Sequence, residues 1–294
     1  GTIVENRALV SELLNQIESR GDISLTASDK LENAVASSAE NILNITLSSG
    51  KKINTRLLVA ADGARSKVRG LIGFSTTEWD YDQQAIVATV QIEKCHKATA
   101  WQRFSATGPL AFLPLPGGEN THFCSIVWSC DNWLAEELIS LDDQQFCKRL
   151  SAEFEFTLGD VLGVSDRAFF PLRQSHAVSY FKPLVALVGD SAHSIHPLAG
   201  QGLNIGLLDV DVLSEELLLA QNSDIEIGSL EVLARYQRRR RGENLQMMLA
   251  MDGFKRLFGS RKIPLRWLRN EGLRSFDKMQ WIKKQVINYA MGLV

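Results

Sequence analysis

From Arg7 to Arg20, Leu9, Val10, Leu13, Leu14 and Ile17 recur at the spacing of one helix face, and the pattern predicts a helix there. Two short strands are predicted around Ile42–Leu47 and Arg56–Ala61, joined by the turn-like Ser48-Ser49-Gly50. The run Leu57-Leu58-Val59-Ala60-Ala61 is unbroken and apolar, which suits a strand buried on both faces of a parallel sheet. From Thr76 to Phe170 the pattern alternates instead. Ala85–Ile92, Thr99–Phe104, Leu110–Pro114 and His122–Ser129 read as antiparallel strands, interrupted by a helical stretch over Asp142–Phe154. A second buried strand, Leu184-Val185-Ala186-Leu187-Val188, leads into Gly189-Asp190, and Asn204–Ala220 reads as a strong helix. The tail is helical from Leu230, with breaks near Gly259, Pro264 and Gly272.

Parallel strands and helices, then a sheet, then a parallel strand and helices describe an α/β fold carrying an insertion. The boundaries are residues 1–75 with 171–225 for a discontinuous nucleotide-binding part, 76–170 for an antiparallel-sheet domain, and 226–294 for a helical C-terminal region. At 294 residues and 45% hydrophobic composition the chain can bury a large core. Cys95, Cys124, Cys130 and Cys147 are scattered without ligand spacing, so they read as small buried hydrophobes and not as a disulfide or zinc framework. No apolar run reaches the ~20 residues that cross a bilayer. The opening Gly1–Arg7 has neither an initiator Met nor a signal-peptide core, which suggests that it is not a natural N-terminus. Charge is asymmetric: residues 235–294 hold 15 Lys/Arg against 4 Asp/Glu, the rest 17 against 30. A basic end on an acidic body suggests an anionic partner surface or simply a solvated helical face.

The densest chemistry lies in Gly189-Asp190-Ser191-Ala192-His193-Ser194-Ile195-His196-Pro197-Leu198-Ala199-Gly200-Gln201-Gly202-Leu203-Asn204. A buried strand ends in a carboxylate, and open α/β sheets bind ligands at the carboxyl ends of their strands, so Asp190 is placed to accept from a sugar-like hydroxyl. Pro197 stops regular structure, and Gly200 and Gly202 allow close backbone approach to a flat ligand. The helix opening at Gly202-Leu203-Asn204 points free N–H groups at the same place, which suits a ring gaining negative charge. A second motif, Ala61-Asp62-Gly63-Ala64-Arg65-Ser66-Lys67-Val68-Arg69, also follows a strand and reads either as a plain turn or as an element ordering a helix beside a phosphorylated cofactor. His193 and His196 lack a third ligand or a carboxylate suited to a metal site.

Both motifs resemble those of the FAD-dependent aromatic hydroxylases related to p-hydroxybenzoate hydroxylase, through a G-D-x-x-H-x-x-x-P-x-x-G-Q-G-x-N block and a D-G-x-x-S-x-x-R block. The nearer resemblance is to the ubiquinone-biosynthesis hydroxylases. It rests on Val4-Glu5-Asn6-Arg7, Gln102-Arg103-Phe104, Gly108-Pro109-Leu110-Ala111, the 196–202 segment and Ala290-Met291-Gly292-Leu293. That family opens with a strand–G-x-G-x-x-G–helix unit for the pyrophosphate, which this sequence does not contain.

The resemblance implies FAD as cofactor, NAD(P)H as co-substrate, and an incomplete hydroxylase fold with the sheet insertion on the substrate side. It puts Arg7, Asp62, Gly63, Gly189, Asp190, Pro197, Gly200, Gln201, Gly202, Leu203 and Asn204 at the cofactor. No catalytic side chain is assigned, because oxygen chemistry belongs to the flavin C4a position, with Pro197 and His193 near it. Trp101, Phe104, Phe112, Leu113 and Leu115 read as core or as a wall for a greasy prenylated phenol. The implied setting is the cytoplasm, at the inner face of a membrane, with other ubiquinone-biosynthesis proteins as partners, homo-oligomerisation open and no nucleic acid. On this reading the chain is a fragment of an active enzyme; the alternative is a non-catalytic remnant that scaffolds a biosynthetic complex. A flavin halogenase or prenyl reductase is a more distant reading.

Overall fold

The structure is a computed structural model and describes residues 3–37, 40–105, 107–115, 121–194, 202–259, 279–281 and 284. In chain order its elements are α1 (Asn6–Glu18), β1 (Leu31–Ser37), β2 (Ile42–Leu47), β3 (Lys52–Thr55), β4 (Leu58–Ala60), α2 (Lys67–Ile72) and β5 (Thr76–Ile92). They continue with β6 (Trp101–Phe104), β7 (Pro109–Pro114), β8 (Phe123–Asp131), α3 (Asn132–Ser140), α4 (Asp143–Glu153), β9 (Val161–Val164) and β10 (Ala168–Ala177). The last are β11 (Phe181–Lys182), β12 (Val185–Leu187), a 3-10 turn (Gly189–Ser191), β13 (His193–Ser194), α5 (Gly202–Asn222) and α6 (Leu230–Gly259). The chain divides into two compact units, one of residues 1–23, 82–172 and 253–294, the other of residues 24–81 and 173–252.

In the first unit, β6, β7, β8 and β5 pair antiparallel in that order, and β9 pairs with β5. Pairing partners share a face, so Ile86, Leu110 and Trp128 line up on one side, as do Ala88, Phe112 and Ile126. Leu134, Ala135 and Leu138 of α3 and Phe146, Cys147 and Leu150 of α4 cover that side and form one buried cluster with it. The helix α4 starts as its sequence dictates. Asp142 Oδ1 accepts from Gln145 N–H at 2.8 Å, and the Gln145 side chain reaches back to Asp142 N–H in a capping box. On the opposite sheet face lie Phe104, Ala111, Leu113, Ser125, Val127 and Val87, none of them fully buried.

The helix α1 forms where the apolar spacing puts it, yet none of its residues is buried. Also in this unit, Cys95 is half-buried, while Cys124, Cys130 and Cys147 are buried as expected of small hydrophobes.

In the second unit, β1, β2 and β3 form an antiparallel meander. The Ser48-Ser49-Gly50 turn joins β2 to β3, a strand not anticipated, and not to the strand at residues 58–60. Asp29 ties this turn by accepting from the Ser48 and Ser49 hydroxyls, each at 2.6 Å, and these bonds hold its carboxyl down to about 2. β12 pairs parallel with β4 and antiparallel with β11. A core of Leu43, Ala60, Ala186, Leu187, Leu213, Leu233 and Tyr236 joins the meander, these strands, α5 and α6.

β12 is buried throughout, as its apolar run predicts. β4 is not: it shortens to three residues, and Val59 stands 40% exposed between Leu58 and Ala60. β4 is an edge strand in the order β11-β12-β4, and residues alternate across it, so the expectation of burial on both faces fails for the Val59 side.

Candidate active site

The parallel pair β4 and β12 aligns Leu187 with Ala60, so the two loops carrying the motifs leave the sheet side by side. Val188 N–H donates to Ala60 O at 3.0 Å, and the Ser191 hydroxyl bonds Ala60 O at 2.5 Å. Arg69 then bridges the loops, donating to Ser191 O at 3.0 Å and to Ala64 O at 2.8 Å. The first loop is built to start α2. Asp62 Oδ2 accepts from Lys67 N–H at 2.8 Å and Val68 N–H at 3.1 Å, and Ser66 caps Arg69 N–H at 3.0 Å. Gly63 has φ +81°, a left-handed conformation that favours glycine. Of the two readings open for this motif, the geometry matches an element that orders a helix.

The second loop turns through Gly189 at φ +58° into the 3-10 turn. Asp190 stays exposed, and its carboxylate bonds no described residue. Desolvation by the surrounding protein nevertheless lifts its pKa above the ordinary carboxylate range, against a smaller opposing influence of His193. Gly202, Leu203 and Asn204 form the first turn of α5, whose opening N–H groups have no intrahelical acceptor. A close glycine contact brings this turn beside the loop: a Cβ on Gly206 would lie 3.1 Å from Gly189 Cα. An open carboxylate and a helix N-terminus therefore stand together at the end of a parallel strand. That donor and acceptor set fits a flavin with its hydroxylated side chain.

Pro197, Gly200 and Gln201 lie outside the described residues, as do His196 and the 290–293 segment. Arg7 belongs to the first unit, exposed on the opening turn of α1. Leu113 is half-buried on the open sheet face, with Phe104 there at 39% exposure. Of the two readings open for Phe112, core or wall, the structure shows core. Phe112 shares the face of Ile126, is 1% exposed, and packs 4.4 Å from the Phe154 ring.

His193 has a buried carboxylate partner that spacing in the sequence does not reveal. Its Nε2 bonds Asp209 Oδ2 at 2.5 Å, with both side chains buried. Asp209 further accepts from Gly189 N–H at 3.0 Å, Arg240 Nε at 2.8 Å and Asn244 Nδ2 at 3.0 Å. Burial pushes the Asp209 carboxyl upward, but the His193, Asn244 and Arg240 donors outweigh it and hold the pKa below the usual range. Asp209 was missed in the sequence although a signal existed. It sits at the spacing of the buried stripe Ile205, Asp209, Leu213, Glu216 and Ala220 of α5.

The basic tail is likewise less available than its charge count suggests. Arg235 and Arg239 pair with Glu216 at 2.8 and 3.0 Å, and Arg240 is buried on Asp209. Among the described residues there is no group of acids, histidines and cysteines able to hold a metal, and no helix long and apolar enough to cross a membrane.

Residues 6–248 match the FAD binding domain family. The chain is 36% identical over 293 residues to 3-demethoxyubiquinol 3-hydroxylase of Escherichia coli (strain K12), covering 100% of this chain and 73% of the relative. It is 33% identical over 329 residues to the mitochondrial ubiquinone biosynthesis monooxygenase COQ6 of Danio rerio, covering 98% of this chain and 67% of the relative. Ubiquinone hydroxylase UbiL of Rhodospirillum rubrum is 36% identical over 292 residues, covering 99% of this chain and 67% of the relative. In fold the chain is similar to p-nitrophenol 4-monooxygenase PnpA of Pseudomonas putida, with TM-score 0.77 at 18% identity over 97% of this chain and 72% of that one. PqsL of Pseudomonas aeruginosa, described as a probable FAD-dependent monooxygenase, gives TM-score 0.72 at 21% identity over 86% of this chain and 70% of that one. This chain belongs to the FAD-dependent aromatic-ring hydroxylases of the ubiquinone-biosynthesis family.

Proposed function

We propose that this chain hydroxylates the aromatic ring of a polyprenylated phenol on the path to ubiquinone. One oxygen atom of O₂ enters the ring and the other leaves as water, with two electrons supplied by NAD(P)H. The observation that carries the reading is the pairing of the open Asp190 carboxylate with the α5 N-terminus, held together by the Gly189–Gly206 contact. Bound FAD supplies the redox and oxygen-activating chemistry that no amino acid side chain offers.

In this reading the chain's own residues bind and orient. Asp190 accepts from ribityl hydroxyls, and the N–H groups at Gly202 to Asn204 stabilise negative charge on the ring system. Gly63 and Asp62 shape the neighbouring loop and the start of α2. The sheet face with Phe104, Ala111, Leu113 and Val127 supplies apolar area for a prenyl chain. Exposed Arg238 and Arg241 on α6 remain to meet anionic headgroups or acidic partner proteins of the same pathway.

The test is a titration of the purified chain with FAD, followed by NAD(P)H oxidation with and without a prenylated phenol. Quenched flavin fluorescence and phenol-stimulated oxidation support the reading. Absence of both, in a folded protein, removes it and favours a non-catalytic role.

A further inference from the structure

We propose that Asp209 is a positioning residue for the cofactor, fixing the Gly189–Asp190 turn through two helices. The inference rests on the reading that this turn binds the flavin. Asp209 is 0% exposed and accepts four hydrogen bonds, two from each side of the turn's support. From the loop come Gly189 N–H and the His193 ring, which flank Asp190 in sequence. From α6 come Arg240 and Asn244, which also bond each other at 2.8 Å.

Arg240 is held in turn by Glu243, and Asn244 donates to the Tyr180 hydroxyl at 3.3 Å. Tyr180 meets His176 Nε2 at 3.1 Å, so the network continues along the strand that precedes β11. All of its members except Glu243 and the half-buried Gly189 are buried. A buried ionised carboxylate is costly unless fully paired, and four donors satisfy this one. What it achieves is geometric. The backbone donor at Gly189 cannot shift without breaking a charge-assisted bond, so Asp190 is offered to the ligand from a turn already in place. Pre-organisation of this kind lowers the ordering cost of binding.

The network also explains why Gly189 and Gly206 approach so closely. Asp209 lies one turn after Gly206 on the buried stripe of α5 and pulls the loop onto the helix.

The experiment measures FAD affinity by fluorescence quenching, beside urea unfolding, for the wild type, Asp209→Asn and Leu213→Ala. Leu213 is a 3% exposed core residue on the same helix, outside the network. The asparagine keeps the shape of Asp209 but presents an NH₂ to donors, and we expect FAD affinity to fall by about ten-fold or more. Leu213→Ala, at comparable loss of unfolding midpoint, is expected to change affinity by less than about two-fold. Should Asp209→Asn not fold, the pair His193→Gln and His193→Ala decides instead. Glutamine can still donate to Asp209 and is expected to restore most of the affinity that alanine loses. Equal affinity loss in Asp209→Asn and Leu213→Ala, or no rescue by glutamine, overturns the proposal alone. A folded wild type that leaves FAD fluorescence unquenched overturns the reading of the site itself, and this inference with it.

Discussion

Gly189 and Gly206 face each other so closely that a methyl group on Gly206 would sit 3.1 Å from the Gly189 α-carbon. One glycine ends the path out of β12 and the other completes the first turn of α5, so their contact sets the distance between Asp190 and the helix N-terminus.

Substituting Gly206→Ala therefore has opposed effects. Alanine in a helix interior gains about 1 kcal/mol over glycine. Overpacking against backbone costs roughly 1–3 kcal/mol, and Gly189 cannot retreat freely while its N–H is bonded to Asp209. The expected outcome is a small change in unfolding free energy with a clear drop in FAD affinity. Chemical denaturation together with FAD titration checks it. A gain in both would show that the close contact does not matter to the site.

Adjacent residues of β7 should separate stability from substrate binding. Phe112→Ala empties a core position against Phe154 and is expected to lower unfolding free energy by about 3–5 kcal/mol. Leu113→Ala, on the open face, is expected to cost much less stability and to raise KM for a prenylated phenol several-fold. Urea curves and steady-state kinetics on the two variants decide this, and a core-sized loss at Leu113 would move it into the interior.

The alternation that separates Phe112 from Leu113 was legible in the sequence, but which face the helices would cover was not. Side chains change sides at each step along a strand, whereas the covering layer comes from α3 and α4 further along the chain. The helix starts were legible because turns and caps are local chemistry. Asp142 with Gln145, and Asp62 with Ser66, act within their own helix starts. Asp209 was not, since its partners lie on the 189–193 loop and on α6, and only the tertiary fold assembles them. Val59 shows the opposite error. The apolar run predicts burial on both faces, while the exposure of its middle residue depends on which strands and layers surround β4.

Neighbouring arginines on α6 should behave very differently. Arg240 is 4% exposed against the buried Asp209 carboxylate, and Arg240→Ala leaves that charge without its guanidinium. A loss of about 3–5 kcal/mol is expected. Arg238 is exposed, and Arg238→Ala is expected to stay within about 0.5 kcal/mol of wild type. Unfolding midpoints in urea compare the two directly, and similar values would contradict the buried network.

His176 gives the protein a defined acid sensitivity. Burial first, then Arg241 and His193, depress its pKa to about 4, whereas in an unfolded chain the ring titrates near 6.5. Between these values the unfolded state binds more protons, so stability is complete above about 6.5 and declines as pH falls toward 4. The limiting slope for one such group is about 1.4 kcal/mol per pH unit. Melting temperatures of wild type and His176→Gln across this window are expected to diverge in that sense, the variant being flatter. Parallel curves would assign the acid sensitivity elsewhere.

Isotopic labelling decides whether this chain hydroxylates an aromatic ring with FAD. The chain is supplied with FAD, NAD(P)H, ¹⁸O₂ and a prenylated phenol, and the ring product is weighed by mass spectrometry. The expected product is a phenol carrying one added ¹⁸O atom, formed only when both FAD and NAD(P)H are present. Unlabelled phenol recovered unchanged, with flavin bound and NAD(P)H consumed into hydrogen peroxide, would contradict it.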